Sequence, residues 1–84
     1  MIKPVIMPKQ GLTMEEGEIV KWRKEEGDSV EKGEILFEIQ TDKSVLEIEA
    51  EYSGILKEII AHPGTVVKIT EIIAYIDEKD DDAL

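Results

Sequence analysis

An internal repeat constrains this chain more than any other feature. Displacing the sequence by 37 residues superposes three stretches without a gap. Gly17 falls on Gly54, Gly27 on Gly64, and Glu34-Ile35-Leu36-Phe37-Glu38-Ile39 on Glu71-Ile72-Ile73-Ala74-Tyr75-Ile76. Between these anchors Ile19 meets Leu56, Trp22 meets Ile59 and Val30 meets Val67. Two copies are too few for an open array of stacked units. They suit two halves related by a pseudo-twofold axis, and 84 residues leave room for a single domain. One position breaks the pattern, because Thr70 stands where the first copy has Gly33. A β-branched residue fits positive φ poorly, so the second turn is expected to differ in type from the first.

The apolar residues of both copies come in runs of strand length. They begin at Val5 and Met7 and recur over Ile19–Trp22, Ile35–Ile39, Leu46–Ala50, Ile55–Ile60 and Ile72–Ile76. The runs are rich in β-branched residues. Glu26-Gly27-Asp28, Lys32-Gly33, Asp42-Lys43, Ser53-Gly54 and Pro63-Gly64 separate them with turn chemistry. Only Val20–Val30 offers a case for a helix, and Gly27 within its acidic cluster opposes it. The expected fold is all-β, a sandwich or flattened barrel of about eight short strands, with Trp22 in or near the core.

Charge and composition then remove whole classes of function. Twenty acidic residues against ten basic give a net charge of −10. Nucleic-acid binding needs a basic face, and an anionic membrane surface repels an acidic one. No apolar run nears the roughly 18 residues of a membrane span. The absence of cysteine removes disulfides, thiolate nucleophiles and zinc–thiolate sites. Met1-Ile2-Lys3-Pro4 enters the first apolar segment at once, without a signal or transit pattern. Glu15-Glu16 and Glu25-Glu26 are sequence neighbours that point opposite ways on a strand, so neither forms a catalytic dyad. His62 beside Pro63-Gly64 reads as a turn residue. The acidic run from Asp77 to Asp82 lacks the spaced ligands and glycine of an EF-hand. It reads as a flexible linker, which places a domain at 1–77 and the start of that linker at 78–84.

The segment from Glu34 to Glu51 can be folded by register. With Asp42 and Lys43 central in a tight turn, Thr41 faces Ser44. Ile39 then meets Leu46, Phe37 meets Ile48 and Ile35 meets Ala50, all inward. Each apolar cross-strand pair contributes roughly 0.2–1 kcal/mol. A slip of one residue would turn Glu47 or Glu49 inward, so the register is well specified. Outward, Glu38 meets Glu47 in a mildly repulsive pair, and Leu36 meets Glu49. The consequence is a lysine displayed at a hairpin apex. An exposed ammonium is a poor nucleophile by itself, but another enzyme can acylate it. The plainer reading is a solvated turn lysine, one of nine lysines here.

At this point the residues resemble a known family, the lipoyl domains of the acyltransferase (E2) component of 2-oxo acid dehydrogenase complexes. The resemblance runs through Met7-Pro8, Met14-Glu15-Glu16-Gly17-Glu18-Ile19-Val20-Lys21-Trp22 and Glu26-Gly27-Asp28-Ser29-Val30 with Lys32-Gly33. It continues through Glu38-Ile39-Gln40-Thr41-Asp42-Lys43-Ser44, Glu47-Ile48-Glu49-Ala50, Gly54-Ile55-Leu56, Pro63-Gly64-Thr65-Val66 and Ile73-Ala74-Tyr75-Ile76, covering residues 2 to 77. Gln40, where an acid is common, and Thr70, where glycine is usual, depart from the pattern. Biotin carrier domains look similar in fold, but methionines usually flank their modified lysine, whereas Asp42 and Ser44 flank Lys43 here. The glycine-cleavage H protein, on the same fold, is longer and carries added helical segments.

The resemblance implies two four-stranded antiparallel sheets with pseudo-twofold symmetry and lipoate amide-linked to Lys43. Thr41, Asp42 and Ser44 would shape and mark the turn. The loop Pro8-Lys9-Gln10-Gly11-Leu12-Thr13 would lie beside the hairpin and help partners recognise it. The domain would be a carrier and not an enzyme; no His-x-x-x-Asp-Gly string of the transferase centre is present. A lipoate ligase or other lipoylating enzyme would modify it. It would carry acyl groups from the thiamine-dependent 2-oxo acid dehydrogenase (E1) to the acyltransferase core and coenzyme A. Dihydrolipoyl dehydrogenase (E3) would reoxidise it. The expected setting is the cytoplasm of a prokaryote, or the mitochondrial matrix of a eukaryote, with the isolated domain monomeric. The alternatives are a biotin carrier and an unmodified barrel serving as an interaction scaffold.

Overall fold

The structure, a computed structural model, describes residues 1–79. Among these are eight strands: β1 (Ile2–Ile6), β2 (Glu16–Trp22), β3 (Ser29–Val30), β4 (Ile35–Gln40), β5 (Val45–Glu49), β6 (Gly54–Ile59), β7 (Val66–Lys68) and β8 (Ile72–Glu78). They form two antiparallel four-stranded sheets, ordered β1-β8-β6-β3 (sheet 1) and β5-β4-β2-β7 (sheet 2). Exchanging β1 with β5, β8 with β4, β6 with β2 and β3 with β7 turns one order into the other. This is the pseudo-twofold that the sequence repeat implied.

The symmetry extends to individual hydrogen bonds. Gly27 N–H donates to Leu56 O at 2.7 Å, and its mate Gly64 donates to Ile19 O at 2.8 Å. Leu56 N–H donates to Asp28 O as Ile19 N–H donates to Thr65 O, both at 2.9 Å. The Glu34 carboxylate accepts Glu31 N–H at 2.7 Å, and the Glu71 carboxylate accepts Lys68 N–H at 3.1 Å. The matched glycines Gly17 and Gly54 serve close approach. A Cβ on Gly54 would lie 2.1 Å from Asp77 O, and one on Gly17 would meet the ends of Met14 and Met7 at 3.1 and 3.3 Å. The two halves differ most between their first strands: nine residues, 7–15, join β1 to β2, where four, 50–53, join β5 to β6.

The core lies between the sheets and draws on both copies. Phe37, Met7, Ile19, Leu36, Ile39, Leu56, Ile73, Ile76 and Val30 are fully buried. Side chains of this kind stabilise by about 1.5–3 kcal/mol each when buried, which is how so small a domain offsets its ordering entropy. No polar or charged residue is buried among the described residues. Trp22 packs against Phe37 with ring centroids 4.9 Å apart, and its indole N–H donates to Ala61 O at 2.8 Å.

Three sequence expectations are corrected. The hairpin register holds for Ile39 with Leu46, Glu38 with Glu47 and Phe37 with Ile48, but a bulge follows and Ile35 faces Glu49 instead of Ala50. A bulge sets two residues against one, so Leu36 turns into the core beside Phe37 instead of facing Glu49 outward. The second copy bulges at the same place, and Ile73 and Ala74 are both buried. The second correction concerns Thr70, which has φ 71° where Gly33 has 95°, so the two turns are alike. Thr70 N–H donates to Met7 O and Gly33 N–H to Ala50 O, at 2.8 and 2.9 Å. The same long-range bond is made in both halves, and in the second it holds Thr70 left-handed against the local preference of threonine. Third, Glu38 and Glu47 do not simply repel: the Arg23 guanidinium bonds both, reaching Glu47 at 2.7 Å. At the chain's end, Glu78 is the last residue of β8 and Lys79 N–H donates to Ser53 O. Residues 80–84, with Asp80, Asp81 and Asp82 of the acidic run, lie outside the described residues.

Candidate functional site

The turn between β4 and β5 is where the register reading placed it. Thr41 N–H donates to Ser44 O at 2.8 Å, with Asp42 and Lys43 central. Neither central residue has positive φ, so this is not one of the primed turns usual in two-residue hairpins. The Thr41 hydroxyl does the work of a backbone acceptor instead. Its Oγ1 accepts Lys43 N–H at 3.3 Å and Ser44 N–H at 3.2 Å, and lies 3.1 Å from Ser44 O, to which it donates. A side-chain oxygen at the first turn position bonding N–H groups two and three residues on is the serine/threonine turn motif. Gln40 adds a bond from its amide nitrogen to Thr41 O at 2.8 Å. Among the described residues, neither the Asp42 carboxylate nor the Ser44 hydroxyl is hydrogen-bonded. The turn is therefore held by Thr41, and the side chains flanking Lys43 are left to face other molecules.

Lys43 itself is exposed and forms no ion pair among the described residues. Its backbone is fixed by the threonine and its ammonium is free. That combination suits a covalent attachment point, since an amide formed at Nζ displaces no protein contact.

The loop 7–15 is brought only partly to this turn. Thr13, with Met14, Glu15, Glu16 and Glu18, lines a groove of about 530 Å3 whose other wall is Gln40, Thr41, Asp42 and Val66. Pro8 and Gln10 line a different groove, with Lys32, Gly33 and residues 47–51 of the β5 end. Lys9 and Gly11 are exposed, and Leu12 stands at 94% exposure. Met14 pins the loop, its sulfur accepting Gln10 N–H at 3.2 Å while its side chain packs on the core. The sequence reading missed Gln40 as a turn-holding residue and Arg23 as the clamp across the outward face of the hairpin.

Charge around the site is acidic, with Glu15, Glu16, Glu18 and Asp42 on the groove walls. Behind the turn, the hydrogen bond to Glu38 chiefly raises the Arg23 pKa above its ordinary value, with the charges of Glu38 and Glu47 adding to it. At the end of β4 away from the turn, Glu34 is held below the usual carboxylate range. The Glu31 backbone N–H is the main cause, followed by Lys24 at 3.2 Å.

With this geometry in view, the likeness to known proteins can be stated. A biotin–lipoyl family model, described as "Biotin-requiring enzyme", matches residues 3–76. The dihydrolipoyllysine-residue acetyltransferase components of the pyruvate dehydrogenase complexes of Staphylococcus aureus and Staphylococcus epidermidis are each 42% identical over 74 residues. The match takes in 88% of this chain and 17% of those proteins, so the chain spans a small part of the relatives' length. Among solved structures, the lipoyl domain of the 2-oxoglutarate dehydrogenase complex from Azotobacter vinelandii superposes with a TM-score of 0.71 at 27% identity. That superposition covers 90% of this chain and 99% of that domain. The doubled four-stranded sheets, the displayed lysine and these likenesses agree: the chain belongs to the biotin–lipoyl family, in the form found in the acyltransferase components of 2-oxo acid dehydrogenase complexes.

Proposed function

We propose that the chain is a lipoyl carrier domain, with lipoate joined through an amide to Lys43. The observation that carries this is the free ammonium of Lys43 on a turn whose backbone is fixed by Thr41. Lipoate held by Lys43 would supply a dithiolane, a disulfide able to accept an acyl group as it is reduced. The chain's own contribution is positional. The hairpin holds the attachment atom away from the core, and tethering makes each transfer effectively intramolecular. Thr41 and Gln40 keep the turn in one shape for the lipoylating enzyme to read. The grooves lined by Thr13 and by Pro8 and Gln10 offer the dehydrogenase surface beyond the lysine, with Lys9, Gly11 and exposed Leu12 between them. The partners on this reading are a lipoate ligase, the 2-oxo acid dehydrogenase, the acyltransferase core and dihydrolipoyl dehydrogenase. Asp42 and Ser44, in place of flanking methionines, favour lipoate over biotin.

Intact-mass measurement tests the assignment. After incubation with lipoate, ATP and a lipoate ligase, the chain is expected to gain one lipoyl increment, and Lys43→Arg is expected to gain none. A lipoyl increment that survives in Lys43→Arg, or a biotin increment with a biotin ligase, would contradict it.

A further inference from the structure

The chain has three methionines, and the fold sets them at three depths. Met1 is 76% exposed and Met7 is fully buried. Met14 stands between them, half-buried on the wall of the groove it shares with Thr41 and Asp42. With no cysteine present, these thioethers are the sulfur that a hydroperoxide can oxidise, wherever it reaches them. Met14 also carries a mechanical role. Its sulfur accepts Gln10 N–H at 3.2 Å, its side chain packs on the core, and its methyl covers Gly17, 3.1 Å from where a Cβ would stand. Residues 8–13 make no hydrogen bond to any strand among the described residues. The thioether is therefore what ties the middle of loop 7–15 to the start of β2.

We propose that Met14 is a redox-sensitive latch: a hydroperoxide converts it to the sulfoxide, and the loop 8–13 comes away from the turn that bears Lys43. With hydrogen peroxide, a sulfur lone pair attacks one oxygen as the O–O bond breaks. Sulfur keeps that oxygen and loses two electrons, and the other oxygen leaves as water. An oxygen on the Gln10 side has no room, because an N–H···O bond alone needs about 2.9 Å and the whole span from sulfur to nitrogen is 3.2 Å. An oxygen on the other side sets a polar group among core atoms. Either product moves the side chain from its seat, and the loop loses its anchor. The opening is bounded at both ends. Met7 N–H donates to Glu71 O at 2.9 Å, Thr70 N–H donates to Met7 O at 2.8 Å, and Glu15 O accepts Ile69 N–H at 3.0 Å. None of these bonds involves Met14, so the sheets stay intact while the loop opens. A methionine sulfoxide reductase reverses the change, its thiols becoming a disulfide as the oxygen leaves in water. The altered groove has Gln40, Thr41 and Asp42 as its far wall, so an enzyme acting at Lys43 meets a different surface before and after oxidation.

The whole, unlipoylated chain is treated with hydrogen peroxide and followed by peptide mapping and amide hydrogen exchange. Met1 and Met14 are each expected to gain one oxygen, Met14 within about tenfold of the rate of Met1, with Met7 untouched. Once Met14 is oxidised, exchange is expected to quicken at Gln10 and across residues 9–13 and to stay unchanged at Ile19, Ile39 and Ile76. Methionine sulfoxide reductases are expected to restore it. Met14→Leu, treated in the same way, is expected to gain oxygen at Met1 alone, with its exchange unaltered by the treatment. Resting on the carrier reading above, the KM of the Met14-oxidised chain for a purified lipoate ligase is expected to rise about fivefold with kcat unchanged. Met14 oxidising as slowly as Met7 overturns the latch, as does an oxidised Met14 with unchanged exchange at Gln10. Exchange that quickens throughout the core overturns it by making Met14 a purely structural residue, and an unchanged KM overturns its control of the site. A chain that takes no lipoyl increment even before oxidation fails at the carrier reading instead, and the exchange result then decides the latch.

Discussion

At the scale of single residues, geometry decides where side chains are permitted. Gly54 sits where β6 crosses the carbonyl of Asp77, and a methyl group there has nowhere to go except against backbone. Gly54→Ala is expected to cost about 2–3 kcal/mol, read as a lower urea midpoint at constant m. Gly17→Ala meets only the movable ends of Met14 and Met7 and is expected to cost about 1 kcal/mol or less. Equal losses at the two sites would show that the close approach at Asp77 is not what selects glycine. Thr70 gives the reverse case. Its left-handed φ of 71° carries strain of about 1–2 kcal/mol, which glycine would release at an entropic cost of about 0.5–1 kcal/mol. Thr70→Gly is therefore expected to raise stability by about 0.5–1 kcal/mol, and a lower urea midpoint would refute the strain.

Among the elements, the β4–β5 hairpin shows what sequence could and could not convey. Its turn and its register from Gln40 to Phe37 were legible, because alternation and one reversal of the chain determine them. The displacement at Leu36 was not, since a bulge changes the period from within and leaves no turn residue to mark it. The repeat held the missing signal: Leu36-Phe37 and Ile73-Ala74 are two consecutive apolar pairs at equivalent positions. The lysine was legible as an apex, whereas the threonine that fixes it needed hydrogen-bond geometry. Arg23 could not be placed opposite Glu38 and Glu47 without knowing that β2 pairs with β4. The turn leading into β4 yields a pH prediction. The Glu34 pKa is depressed in the folded chain, first by the Glu31 N–H and then by Lys24. A carboxylate of lowered pKa contributes stability that is complete above its ordinary value of 4.5 and is lost as pH falls through the lower folded value. Thermal melts should find Glu34→Gln less stable than wild type at pH 7, with the gap closing toward pH 3. A gap independent of pH would assign the loss to packing.

For the molecule as a whole, one sign of charge prevails. A net charge of −10 on 84 residues repels itself in the compact state more than in the open chain. Raising sodium chloride from about 50 to 500 mM shortens the Debye length from over 10 Å to under 5 Å. It is expected to raise Tm by roughly 4 °C, equivalent to under about 1 kcal/mol for a domain of this size. A falling Tm would mean that the ion pairs of Arg23 and Lys24 outweigh the general repulsion. The pseudo-twofold has a last consequence for how such a domain is hung. It carries the turn bearing Lys43 onto the place where the Met1 ammonium meets Asp77 and Glu78, about 23 Å along the seven residues of β8 from the end beside Met7. The Lys43 turn and the paired ends of β1 and β8 thus occupy opposite poles. On the carrier reading proposed above, a chain leaving the Met1 or Glu78 end departs from the pole away from Lys43 and leaves the turn clear for a visiting enzyme.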